Sequence, residues 1–229
     1  MSHSLYPSAK PFAVIFDFDG IIIDSETPEY ESHRSIFEEF GVALDVDEWH
    51  GQVGMWSANS AWWFDRLRER ATEPPDHATF EASKQQRFRE LVKMEPLPGI
   101  ERLLELLSGA RVRLAIASSA PDRWVRRAVR DLGLHAHFDT IVTGSDVDRV
   151  KPEPDVYLEA ARRLMVPPRR AVAVEDSAPG LAAARAAGMR TVVIPHHLTE
   201  RQDLTGADLR VQDARELTVE RLRALVDRD

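Results

Sequence analysis

Asp17 and Asp19 stand two residues apart in the segment Asp17-Phe18-Asp19-Gly20, and a second acidic pair, Glu175-Asp176, lies far down the chain. Ser118-Ser119 and Lys151-Pro152 fall between them in sequence. Carboxylates, a hydroxyl and an ammonium form a set suited to phosphoryl transfer. A hard divalent cation such as Mg²⁺ prefers oxygen ligands, and Asp17, Asp176 and, as a further candidate, Glu175 offer them. Such a cation offsets the repulsion between an anionic nucleophile and a phosphate. Ser118 can donate to a phosphoryl oxygen, and Lys151 can balance charge on the nucleophile and the transferring group. Asp17 is the candidate nucleophile. Asp19 is placed to protonate the leaving oxygen and later to deprotonate water.

Each residue taken singly has a plainer reading. Asp-x-Asp-Gly after a strand is common turn chemistry. Ser118 has the chemistry to cap a helix starting near Pro121, and Asp176 or Ser177 to cap one running from Gly180. A lysine in Lys151-Pro152-Glu153-Pro154 reads as solvated. The combination carries the argument, because the positions recur at the ends of consecutive strand-like runs.

Those runs are Ala13-Val14-Ile15-Phe16, Val112 to Ala117, Thr140 to Thr143, Ala171 to Val174 and Thr191 to Ile194. Short continuous apolar runs suit strands covered on both faces, as in a parallel sheet. Amphipathic helical segments alternate with them. Ile100, Leu103, Leu104 and Leu107 share one face; Val125, Ala128, Val129 and Leu132 share another; Val156, Ala160 and Leu164 share a third. Another helix is expected from Leu181 to Ala187, closed by Gly188. The alternation predicts an α/β fold, a doubly wound parallel sheet with right-handed crossovers. Ligands of such sheets bind beyond the carboxyl ends of the strands, where the four chemical segments stand.

Residues 25–96 break the alternation and read as an inserted all-helical cap domain. Thr27 is expected to cap its first helix with Pro28 at the first helical position. Tyr30, Phe37 and Phe40 follow before Gly41, and further helices are expected over Ala58 to Arg70 and Thr79 to Val92. Four of the five tryptophans (Trp49, Trp56, Trp62 and Trp63) fall here. The pattern divides the chain into an α/β core of residues 1–24 and 97–229 and a cap of residues 25–96.

The whole-chain balance is consistent with this. Over 229 residues, 43% hydrophobic content supports a packed core, and the net charge of -8 carries no footprint of a nucleic-acid binder. The absence of cysteine excludes disulfides, thiolate metal sites and a cysteine nucleophile. No apolar run approaches the roughly 20 residues needed to span a bilayer, so no membrane partner is expected. The N-terminus lacks the features of a secretion signal, which makes the cytoplasm the expected location. A monomer is expected, with a dimer left open.

Asp17-Phe18-Asp19-Gly20, Ser118, Lys151-Pro152 and Glu175-Asp176, in that order, resemble the four motifs of the haloacid dehalogenase-like hydrolase superfamily. The helical insertion after the first motif resembles the cap of its phosphoglucomutase- and phosphoglycolate-phosphatase-like branch. The resemblance spans Phe12 to Ile194. It implies an aspartyl-phosphate on Asp17, acid–base catalysis by Asp19, and a Mg²⁺ ion bound by Asp17, Asp176, Glu175 and the main-chain carbonyl of Asp19.

Within the superfamily, haloalkanoate dehalogenation is disfavoured by the presence of Asp19 and of Glu175-Asp176. Receiver domains use similar residue types in a different order. β-Phosphoglucomutase is the serious competitor: its cap carries a His, a Lys and an Arg where this chain has Glu29, Val53 and Ser57. A mutase must grip a second phosphate, a task for cations, so hydrolysis of a small phosphorylated metabolite, such as a sugar phosphate, is the favoured expectation. A catalytically weak metabolite-binding protein on the same scaffold is a further alternative. Candidate substrate contacts are Gly20, Ser119, Gly54, Met55, Trp56, Ser57 and Arg123. Trp62, Trp63 and Phe64 are read as cap core, Arg123 to Arg130 as a mainly solvated face, and His196-His197 as surface residues rather than a metal pair.

Overall fold

The computed structural model describes residues 11–54 and 59–228. Among them, β1 (Ala13–Phe16), β2 (Arg113–Ala117), β3 (Thr140–Val142), β4 (Ala171–Glu175), β5 (Arg190–Val193) and β6 (Leu209–Arg210) form one sheet in the order β3-β2-β1-β4-β5-β6. Every pairing is parallel. β1 is central: Ile15 is in register with Ala115 on one side and Ala173 on the other. The winding direction reverses between β1 and β4. That switch point opens a crevice at the strands' carboxyl ends.

Alternation along β1 serves two cores, because successive side chains of a strand point to opposite faces. Val14 and Phe16 join the apolar faces of α5 (Ile100–Gly109), α6 (Asp122–Asp131) and α9 (Val219–Val226). Ala13 and Ile15 join those of α7 (Asp155–Leu164) and α8 (Ala178–Ala186). The expected stripes are buried at Ile100, Leu103, Leu104, Leu107, Val125, Ala128, Val129, Val156, Ala160 and Leu164. Leu132 packs only partly buried at the edge. Gly188 follows α8 with φ of 77°, the left-handed conformation expected of a helix stop.

Between β1 and α5 stand α1 (Glu26–Glu39), α2 (Val46–His50), α3 (Asn59–Arg70) and α4 (His77–Leu91). They enclose a separate cluster of Ile36, Phe37, Trp49, Val53, Trp63, Leu67 and Phe80. Trp49 and Trp63 stack at 4.9 Å between ring centroids, while Trp62 and Phe64 pack partly buried around them. The tryptophan-rich stretch therefore builds the cap's own core. Leu198, from the loop after β5, inserts into the same cluster.

Two details depart from the sequence expectations. Thr27 does not cap α1: the helix begins at Glu26, and the Asp24 carboxylate accepts the Thr27 N–H at 3.0 Å. Pro28 stays within the first turn, where a missing N–H costs no hydrogen bond. His196 is not a surface residue. Its side chain is 10% exposed, with Nε2 3.3 Å from Asp24 Oδ1 and 3.3 Å from Thr27 Oγ1, whereas His197 is exposed as expected. β6, α2 and α9 had no counterpart in the sequence reading. Among the described residues, no helix is long and apolar enough to cross a membrane.

Candidate active site

The ladder carries the first two acidic segments together. Asp17 N–H donates to the Val174 carbonyl at 2.9 Å, extending the β1–β4 pairing one residue beyond the strand. Asp17 thus arrives beside Glu175 and Asp176, and all three are buried with ligand oxygens within 4.8 Å of one another. Gly20, with φ of 76°, turns the chain where a Cβ would lie 2.5 Å from Asp176 Oδ2. Gly180 leaves room for the Glu175 carboxylate at the start of α8, and Ser177 caps that helix by accepting from Gly180 N–H at 3.3 Å.

Lys151 reaches this cluster from the loop after β3. Its Nζ lies 2.7 Å from Asp17 Oδ1 and 2.7 Å from Glu175 Oε1, with its side chain 3% exposed. The plainer reading of Lys151 as a solvated side chain does not hold; the loop turns inward, with Ser119 Oγ accepting Lys151 N–H at 3.2 Å. Ser119 is therefore a support for Lys151 as well as a lining residue of the cleft. Tyr157 O–H donates to Glu175 Oε1 from behind.

Burial dominates the electrostatics. It pushes the Asp17 carboxyl up to about 8; Glu175 adds to the rise and Lys151 opposes it. Burial also raises Asp176 well above the carboxylate range, followed by repulsion from Glu26 and Glu175. For Lys151 burial works the other way, but the carboxylates of Asp17 and Glu175 outweigh it and hold the ammonium above its ordinary value. Asp19 is raised by burial and pulled back by hydrogen bonds from Ser25 and Trp124.

The cluster fits a hard divalent cation. Its donors are all carboxylate oxygens, and Asp176 Oδ2 is buried without a hydrogen-bond partner. A buried carboxyl oxygen without a partner is costly, and a cation meeting it would offset that cost and favour the ionised form. Mg²⁺ suits such a set, with water and a substrate phosphate completing its shell.

A cleft of about 860 Å³ opens above the cluster. Asp17, Asp19, Ser118, Lys151 and Asp176 line its floor, while Gly54, Glu29, Lys84 and Phe88 reach it from the cap. Gly54 comes close enough to the core that a Cβ there would lie 2.9 Å from Ser177 Oγ. Arg123 lines the cleft from α6 and is exposed. Gly20 and Glu175 lie beneath Asp176 and behind Lys151, outside the cleft lining. Ser118 Oγ accepts Ala120 N–H at 3.0 Å, so it supports its own turn as well as facing the cleft. Met55, Trp56 and Ser57 lie outside the described residues.

Three contributors escaped the sequence reading. Trp124 Nε1 donates to Asp19 Oδ1 at 3.0 Å, although Trp124 reads merely as one residue of an arginine-rich helix. Glu26 lines the cleft near Asp176, and burial followed by repulsion from Asp19 raises its carboxyl well above the usual range. Lys84 Nζ accompanies Ser60 Oγ at 2.8 Å and Glu29 Oε1 at 3.8 Å. The cap therefore does bring a cation to the cleft, from α4 rather than from the positions of Glu29, Val53 and Ser57. Only its position three-dimensionally opposite α1 could have revealed it.

A profile of haloacid dehalogenase-like hydrolases matches residues 14–194. YhcW of Bacillus subtilis (strain 168) is 37% identical over 188 residues, 82% of this chain and 84% of that protein. The phosphorylated carbohydrates phosphatase of Thermotoga maritima is 32% identical over 200 residues, 85% of this chain and 90% of the relative. Among solved structures, a variant of CbbY from Rhodobacter sphaeroides in complex with xylulose-(1,5)bisphosphate superposes with a TM-score of 0.74. It is 29% identical and covers 93% of this chain and 99% of its own. The chain belongs to the haloacid dehalogenase-like hydrolases, in their phosphoglucomutase- and phosphatase-like branch.

Proposed function

We propose that the chain is a Mg²⁺-dependent phosphatase of a small phosphorylated metabolite, with a sugar phosphate the favoured class. The observation that carries the reading is the floor of the cleft. Lys151 bridges Asp17 and Glu175, and Asp176 directs an unpartnered buried oxygen into the same space. Two relatives, a phosphorylated carbohydrates phosphatase and a protein crystallised with a sugar bisphosphate, support the substrate class. In this reading residues 1–24 and 97–229 are the catalytic core and residues 25–96 the cap.

Phe18 N–H and Lys151 engage Asp17 Oδ1, and we assign the attack on phosphorus to the other oxygen. As the Asp17 O–P bond forms, the ester P–O bond breaks, and Asp19 gives its proton to the leaving oxygen. Asp19 then takes a proton from water, which attacks phosphorus and releases phosphate from Asp17. Lys151 and Ser118 face the transferring group and stabilise its charge. Asp17, Asp176 and Glu175, with the Asp19 carbonyl, would hold Mg²⁺, which supplies charge neutralisation between carboxylate and phosphate. A panel of phosphate esters assayed with Mg²⁺ and with EDTA tests the proposal; turnover that ignores EDTA would count against it.

Lys84 favours a second reading, because a cap cation is what a mutase needs to hold a second phosphate. Conversion of β-glucose-1-phosphate to glucose-6-phosphate distinguishes it from hydrolysis.

A further inference from the structure

Asp19 is held by more than the turn it belongs to. Its Oδ1 accepts from Ser25 Oγ at 2.7 Å and from Trp124 Nε1 at 3.0 Å. An oxygen that accepts two hydrogen bonds is occupied on both lone pairs, so a transferable proton belongs on Oδ2. Oδ2 is the oxygen on the Ser118 side, 3.4 Å from that hydroxyl, and Ser118 is where the phosphate end of a substrate is expected. An indole N–H donates and never accepts; at Oδ1 it excludes the flipped arrangement in which the proton points away from the leaving group.

The same indole is wedged between core and cap. Phe18, buried next to Asp17, meets it edge-on at 6.2 Å between centroids, and Phe88 of α4 meets it at 5.5 Å and 69°. Aromatic pairs in this edge-to-face geometry attract beyond the area they bury. Phe88 comes from α4, which packs chiefly on α1 and α3 of the cap, whereas Trp124 and Phe18 belong to the core.

We propose that Trp124 is a positioning residue for Asp19, and that Phe88 makes this positioning depend on the cap being seated. Phe88 braces the indole, the indole N–H fixes which Asp19 oxygen carries the proton, and that oxygen protonates the leaving group as the P–O bond breaks. With the cap displaced, the brace is lost and the acid is no longer aimed. The inference rests on Asp19 acting as the acid of the proposed hydrolysis.

Phenyl phosphate and p-nitrophenyl phosphate test it, because they share a ring and differ in how much the departing oxygen needs a proton. The quantity to measure is kcat/KM, which reports the step that transfers phosphate to Asp17. Trp124→Phe keeps an aromatic ring between Phe18 and Phe88 and removes the N–H together with the second ring of the indole. It is expected to lower kcat/KM for phenyl phosphate about tenfold more than for p-nitrophenyl phosphate, a part of the 10²–10⁴ that a positioned acid supplies. Phe88→Ala should move the ratio in the same direction, and should leave it unmoved when Trp124 is already Phe. The ratio is taken on one sample, so a loss of folded protein cancels. Equal losses on both esters would overturn the positioning role, and a ratio untouched by Phe88→Ala would overturn the link to the cap. If the unaltered enzyme turns over neither ester with Mg²⁺, the hydrolase reading itself fails, an outcome separate from both.

Discussion

Gly20 and Asp176 occupy a space that admits only one side chain: a Cβ on Gly20 would lie 2.5 Å from Asp176 Oδ2 and 2.8 Å from its Cγ. The first motif and the last are therefore fitted together across the β1–β4 switch point by the absence of a methyl group.

Gly20→Ala should consequently cost more in activity than in stability. The left-handed backbone at φ 76° costs an alanine about 1–2 kcal/mol, while the displaced Asp176 carboxylate leaves the proposed cation site. The expectation is a Tm lowered by a few degrees and Mg²⁺-dependent turnover reduced beyond what the folded fraction explains. Full activity at saturating Mg²⁺ would show that Asp176 need not hold its place.

Asp17→Asn should abolish turnover of p-nitrophenyl phosphate with the fold intact. The amide cannot attack phosphorus, yet it keeps the shape of the buried side chain. Retained turnover would remove Asp17 from the role of nucleophile. Circular dichroism and a thermal melt provide the structural control.

Lys151→Ala attacks both chemistry and fold. Two buried carboxylate oxygens lose their 2.7 Å partner, and breaking a buried ion pair costs about 3–5 kcal/mol. Loss of an electrostatic donor to the transferring group is worth about 10²–10³ in rate. Urea denaturation and kcat on the remaining folded protein separate the two effects. A wild-type urea midpoint would mean that the ion pairs contribute nothing net.

Lys84→Ala should raise KM for a sugar phosphate about tenfold, in line with one hydrogen bond to a charged group. The effect on phenyl phosphate should be smaller, because its ring has no polar group for a cap cation to hold. Identical shifts for both substrates would place Lys84 in the cap's structure rather than in recognition.

Asp24 links acid stability to the joint between core and cap. Half-buried, it pays a burial cost, but hydrogen bonds from His196 and Thr27 outweigh that and lower its carboxyl to about 2. A depressed acid contributes stability that is fully present above its unfolded value of about 3.9 and is lost as pH falls through about 2. In urea melts between pH 5 and pH 2, Asp24→Asn should therefore lose stability less steeply than the unaltered chain. Parallel curves would remove the Asp24–His196 pair from the account.

Much of the α/β core was legible in the amino-acid sequence because its signals are local. Val14 and Phe16 alternate with Ala13 and Ile15 within a single strand, and Ile100, Leu103, Leu104 and Leu107 recur at helical spacing. A parallel strand buried on both faces needs such a run wherever it sits in the sheet. β6 has two residues, too few for a period to register.

The candidate site divides along the same line. Asp17, Ser118, Lys151 and Glu175-Asp176 could be read in order because each follows a strand or its loop, and strand ends converge by the rules of parallel connection. Tertiary structure alone decided the company they keep. Trp124 reaches Asp19 across 105 positions of sequence, Lys84 enters the cleft from a helix of mixed polarity, and His196 meets Asp24 over a loop. These contacts depend on how helices pack on a sheet and on one another, a sum of many small interactions that no spacing of residue types encodes. The sequence by itself thus determined the phosphoryl-transfer chemistry expected at Asp17, and packing determined what surrounds it.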